Sequence, residues 1–133
     1  MADTSVLEVA VVSAERLLWK GQAKSITAKT PEGEIGILPG HEPLLALLVE
    51  SPLRVEQTDG SKMLVAVHGG FFSVDSNNVN VIAEVAELAE DIDLERAKAA
   101  LARAQGAPES EDKSALRRAE TRLTVASVTK GLL

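Results

Sequence analysis

Four arginines in the last third of the chain are the side chains best placed for chemistry. Arg96 and Arg103 are seven residues apart, and Arg118 and Arg122 are four apart, so on helices each pair shares a face. A guanidinium is a planar fork that meets phosphate or carboxylate oxygens two at a time. If the two helices close on one another, all four can converge on an anion. If they do not, the same residues are solvated helix faces carrying weak charge pairs. On the residues alone both readings stand.

Catalytic constellations are missing. The chain contains no G-x-x-x-x-G-K-[ST], H-E-x-x-H or G-x-S-x-G. It has no cysteine, which removes disulfides, thiol catalysis and Cys-based zinc sites. Its two histidines, His41 and His68, lie in different segments without metal-ligand spacing. His68 reads as a satisfied sheet residue, and His41, at a turn between Gly40 and Glu42, as a surface contact. No catalytic or metal site and no required cofactor is expected.

The elements that must position these residues change character near Ala89. Before it the chain is a series of short aliphatic runs. Val6–Val12 is rich in β-branched residues and predicts a strand. Ser13–Gln22 reads as a transition, Ala23–Lys29 as an alternating strand, and Glu34–Leu38 as a short one. Leu44–Val49 is wholly apolar and predicts burial. Leu53–Gln57 and Met63–His68 pair across Asp59-Gly60, a sequence suited to a type I′ turn. Gly69-Gly70 marks a bulge or a close approach, and Phe71–Val74 and Val79–Val85 flank a second polar turn. Pro31, Gly33, Gly36, Pro39, Gly40 and Pro43 constrain the loop between Thr30 and Leu48 to a specified path. The acidic side chains on that loop, Glu32, Glu34 and Glu42, otherwise serve to keep a sheet soluble. The expected fold is mainly β with an α C-terminus: an antiparallel β-sandwich of about ten short strands, then a two-helix hairpin.

After Ala89 the period becomes helical. Asp91 or Asp93 can cap a first helix whose stripe is Leu94, Ala97, Leu101 and Ala104. Gly106 and Pro108 stop it. Ser110 opens a second helix, with Leu116, Ala119, Leu123 and Ala126 as its stripe. These narrow, Ala-rich seams bury little area, so the hairpin should dock weakly and be able to move. Two domains are expected, 1–88 and 89–133.

Composition narrows the partners. Of 133 residues, 45% are hydrophobic but only 2% aromatic, so the core must be aliphatic. A net charge of −6 and the scarcity of stacking rings argue against nucleic acid. Residues 1–87 hold twelve acids against six bases, whereas residues 88–133 balance at eight each. That asymmetry implies different partners for the two halves. No signal peptide and no membrane-spanning run is expected, so membrane association would go through other proteins.

The run T-P-E-G-E-I-G-I-L-P-G-H-E-P-L-L resembles the signature loop of the epsilon subunit of F-type ATP synthases. The V-H-G-G-F segment and the C-terminal R-A-E-T-R-L-T-V-A run are similar to that family too, so the resemblance covers the whole chain. It implies a non-catalytic central-stalk subunit that links the gamma shaft to the membrane rotor ring of a proton-translocating complex. It also implies that the C-terminal helices restrain ATP hydrolysis by contacting the catalytic alpha/beta head. The family loop lies against the rotor ring, which implies ring contacts for Glu34, with Glu32, His41 and Glu42 beside it. Some members bind ATP as a regulatory ligand through I-D-x-x-R-A, a preceding Glu and arginines of both helices. The matching positions are Glu87, Ile92, Asp93, Arg96, Ala97, Arg103, Arg118 and Arg122. The implied location is peripheral, on the cytoplasmic face of a bacterial plasma membrane. The alternative is a free-standing ATP-sensing module with no rotor partner.

Overall fold

The computed structural model describes residues 5–106 and 113–129. Seven strands come first: β1 (Leu7–Ser13), β2 (Leu17–Thr30), β3 (Gly33–Ile37), β4 (Leu44–Leu47), β5 (Ser51–Gln57), β6 (Lys62–Asp75) and β7 (Asn78–Leu88). A single 3-10 turn, Ala89–Asp91, leads into α1 (Leu94–Gln105), and α2 (Ser114–Thr129) follows. The order of sandwich and helices is the one expected. Among the described residues the strands number seven: β6 runs for 14 residues through what the sequence predicts as two strands, Met63–His68 and Phe71–Val74.

Hydrogen bonding runs β1-β7-β6-β5-β2-β3, with β4 also on β6 and β1 returning to β2. Every pairing is antiparallel except β1 with β7. A parallel pair needs a long crossover, and here the five intervening strands supply it. Alternation then sorts the side chains. Leu7, Val9 and Val11 of β1, Val79, Val81 and Ala83 of β7, and Phe72 and Val74 of β6 all enter one aliphatic core.

The stretch Leu64–His68 is buried without alternation. Val65 and Val67 face the sandwich core, whereas Leu64 and Ala66 pack with Ile92, Ala97, Val125 and Ala126 in a second cluster. The helices therefore cover the outer face of β6 at this point.

Several local expectations are corrected. Ser13–Gln22 is no transition, since β2 begins at Leu17 and pairs with β1. Leu44–Val49 is not uniformly buried: Leu45 is 70% and Leu47 64% exposed, because β4 lies over β6 with alternate residues outward. The type I′ turn sits at Ser76-Asn77, whose φ values are 52° and 66°. At Thr58-Asp59-Gly60 only Gly60 has positive φ, which fits a three-residue loop ending in a left-handed glycine. Gly70 is a close approach and no bulge. The β6–β7 register is continuous, and a Cβ there would meet the Ile82 carbonyl oxygen at 2.2 Å.

In α1 the cap is Asp93, whose Oδ1 accepts from Arg96 N–H at 3.1 Å. The helical stripes are narrower than read: Ala97, Ala119 and Ala126 are buried, while Leu94, Leu101, Leu116 and Leu123 are half-buried. Thr121 and Val125 are also buried, as α2 turns a second face to the sandwich. Pro108 and Ser110 lie outside the described residues.

Candidate functional site

A cavity of about 380 Å³ opens where the end of β7 meets both helices. It is lined by Glu87, Asp91, Ile92, Asp93, Arg96, Ala97, Ala100, Arg103 and Arg122. The local folding explains the grouping. Capping by Asp93 starts α1 so that Arg96, Ala100 and Arg103 fall on one face, one turn apart. Ile92 and Ala97 are buried in the second cluster and anchor that face to the sandwich. Arg122 reaches in from α2, which Val125 and Ala126 hold against Leu64 and Ala66.

Glu87 organises the charges. Its Oε1 accepts from Arg122 Nε–H at 2.5 Å and is 2.9 Å from His68 Nε2. The His68 hydrogen bond holds the Glu87 carboxyl below its usual range; burial opposes this, and Arg122 adds to it. A carboxylate has no proton to give, so Nε2 is the donor. Asp93 is committed to the helix cap, and Asp91 pairs with exposed Arg16 at 3.7 Å. Among the described residues the guanidiniums of Arg96 and Arg103 have no hydrogen-bond or ion-pair partner. The cavity therefore offers two free guanidiniums and a third held by a carboxylate. Its volume lies in the small-ligand range of about 300–1,000 Å³.

Seven of the eight residues expected around a nucleotide line this one cavity. Arg118 does not. Its neighbour Arg117 pairs instead with Glu50 at 3.2 Å, across a second cavity of about 330 Å³ that Glu34 also lines. Nothing in the spacing of α2 distinguishes Arg117 from Arg118 as the sandwich-facing arginine. His68 was read as a satisfied sheet residue, and the structure corrects this by half. Nε2 has its partner, while Nδ1 is buried with none. Its place was foreseeable from register, since His68 shares a strand face with Ala66, and Ala66 pairs with Glu87.

The four acidic-loop candidates fall into two groups. Thr30 Oγ1 donates to the Gly33 carbonyl at 2.9 Å and accepts from Glu32 N–H at 3.2 Å, building a tight turn that leaves Glu32 and Glu34 exposed. His41 and Glu42 lie beyond the other end of β3. There Pro39 and Gly40, the latter at φ 90°, form a turn closed by His41 N–H to the Leu38 carbonyl at 3.1 Å. His41 Nδ1 is 2.7 Å from the Glu42 carbonyl oxygen. Glu34 stands near the start of β3, and His41 and Glu42 lie past its end. At the far end of β4 from the second group, Leu47, Phe71 and Ile82 lie directly opposite one another across β4, β6 and β7. All three are exposed, as are Leu38 and Leu45, so this side of the sandwich presents an apolar row.

Comparison with known proteins gives a consistent result. Residues 6–89 match the family described as ATP synthase, Delta/Epsilon chain, beta-sandwich domain. The ATP synthase epsilon chain of Streptomyces avermitilis is 43% identical over 121 residues, covering 91% of this chain and 95% of that one. That of Rhodococcus jostii is 52% identical over 97 residues, covering 72% and 80%. Among solved structures, a chain of the Euglena gracilis mitochondrial ATP synthase (OSCP/F1/c-ring, rotational state 1) superposes with a TM-score of 0.70. It is 27% identical, with 95% of this chain and 80% of that chain covered. A chain from the central stalk and c-ring of the Tetrahymena thermophila mitochondrial enzyme has a TM-score of 0.58 at 16% identity, covering 99% and 100%. At that identity it speaks for the fold alone.

Proposed function

Because the chain belongs to the epsilon-subunit family of ATP synthases, a non-catalytic subunit of that complex, we propose that it couples the gamma shaft to the rotor ring. We further propose that its helical hairpin is a brake on ATP hydrolysis, released by ATP. The observation that carries the brake is the cavity. Docking the hairpin brings Arg96, Arg103 and Arg122 beside Glu87, so a triphosphate bound there favours the docked state. ATP at a hundred times its dissociation constant would bias docking by roughly 2.7 kcal/mol, provided the undocked state does not bind it. Undocked, the helices are free to reach the alpha/beta head, where the same arginines meet acidic surface.

The sandwich supplies the coupling. Its Glu32–Glu34 turn presents acidic side chains to the polar loops of the c-ring. His41 and Glu42 add a further contact to the rotor, and the exposed row Leu47, Phe71 and Ile82 faces the gamma shaft. An exposed apolar row on a sandwich calls for such a covering partner. No helix of the described residues is long and apolar enough to cross a membrane. Its family membership supports a peripheral position at the cytoplasmic face of a bacterial plasma membrane, where partners in a proton-translocating complex would hold it.

Calorimetric titration of the full chain with ATP tests the nucleotide claim. Saturable heat that Arg96→Ala and Arg103→Ala abolish is expected. Absence of heat at millimolar ATP would overturn it.

A further inference from the structure

His68 belongs to none of the surfaces above, yet among the described residues it is the buried titratable group, its side chain 2% exposed. It lies on β6 beneath the hairpin and touches the cavity only through Glu87. One oxygen, Glu87 Oε1, accepts both from His68 on the sandwich and from Arg122 on α2. We infer that His68 is a positioning residue: it fixes the Glu87 carboxylate so that Glu87 latches the docked hairpin through Arg122.

The argument is geometric. Glu87 stands at the end of the last strand, one residue before β7 ends, where a free carboxylate would sample several rotamers. Its side chain is 24% exposed, so packing alone does not hold it. His68 does. Its ring has few degrees of freedom, its side chain is buried, and its Nε2–H points at one carboxylate oxygen. An aliphatic residue at 68 would fill the space but leave that oxygen to water. Buried Nδ1 has no partner. A residue that only packed would not place a polar atom there, since an orphaned polar group is unfavourable. The ring is thus kept for what Nε2 does.

The latch needs no ligand, but its effect on nucleotide affinity rests on the ATP reading above, and the test separates the two. The chain contains no cysteine, so Thr58→Cys on the β5–β6 loop and Lys113→Cys ahead of α2 give a clean spin-label pair on exposed sites. Distances in the full chain, without nucleotide, report the docked fraction. His68→Leu should lower the docked-to-undocked ratio about tenfold, the order expected for one hydrogen bond to a charged group. His68→Gln keeps an N–H donor and should restore most of it. Glu87→Gln and the His68→Leu/Glu87→Gln double variant should match within twofold, because His68 acts through Glu87. A docked fraction unchanged in His68→Leu, or a double variant losing the product of the single losses, overturns the inference. Should His68→Leu fail to fold, His68→Gln and Glu87→Gln decide: no undocking in Glu87→Gln, or undocking in both to the same extent, overturns the inference, and undocking in Glu87→Gln alone supports it. The same samples titrated with ATP complete the test. No binding in the wild type, with the distance pattern intact, leaves the latch standing and removes only the nucleotide reading.

Discussion

Glu87 ties three elements together, and its chemistry sets a pH dependence with a definite sign. Its carboxyl is held below the ordinary value of 4.5, so the folded state favours the ionised form. Its contribution to docking is fully present above that value and is lost as the pH falls through the lower, folded value. Glu87→Gln should therefore cost about 2 kcal/mol of docking at neutral pH and remove the acid limb below 4.5. Limited proteolysis of the hairpin across that range would show it; a variant with the wild-type acid limb would contradict it. The signature loop makes a second prediction. Gly33 sits at φ 127°, a conformation side chains rarely adopt, while Gly36 has no positive φ and open space around its Cβ position. Gly33→Val should destabilise the sandwich by about 1–3 kcal/mol and Gly36→Val by far less, read by thermal unfolding. Equal losses would mean that the turn does not depend on that backbone conformation.

The sandwich and the hairpin meet over a small cluster, and that defines what should happen when they are separated. Among the described residues the apolar cluster between them takes only Leu64, Ala66 and Ala89 from outside the helices and the segment that leads into them, while the main core draws on the strands and on Leu48. A fragment ending at Ala89 should therefore unfold cooperatively on its own, somewhat less stable than the full chain. A disordered fragment would show that the helices are part of one folding unit. The helices were legible because their period and the Asp93 cap are local signals, and so were most strands. What was not legible depended on partners distant in the chain. Leu45 and Leu47 looked buried because an apolar run reads alike whether its outer face meets a helix or a protein partner. Leu17–Gln22 lacked alternation because none of its residues is buried, so no apolar face marks it as a strand. Arg117 and Arg118 were indistinguishable until the second face of α2, with Thr121 and Val125, was seen to rest on the sandwich. Three of the arginines did converge as their spacing allowed, and the fourth did not.

As a whole the molecule is an acidic sandwich carrying a charge-balanced, thinly docked hairpin. The ion pairs Glu87–Arg122 and Glu50–Arg117 cross the interface and should make docking salt-sensitive. Exposed pairs are worth about 0–1 kcal/mol, so Arg117→Ala should matter less than Arg122→Ala. Protection of the hairpin from protease by ATP should survive Arg117→Ala and be lost in Arg96→Ala. Loss in both alike would place the nucleotide elsewhere. The most direct test is the rate of ATP hydrolysis by the assembled ATP synthase carrying either the full chain or one lacking residues 90–133. The hairpin brake predicts that the truncated complex assembles normally and hydrolyses ATP faster than the intact one, most clearly when ATP is scarce. An intact and a truncated complex hydrolysing ATP at the same rate would contradict it.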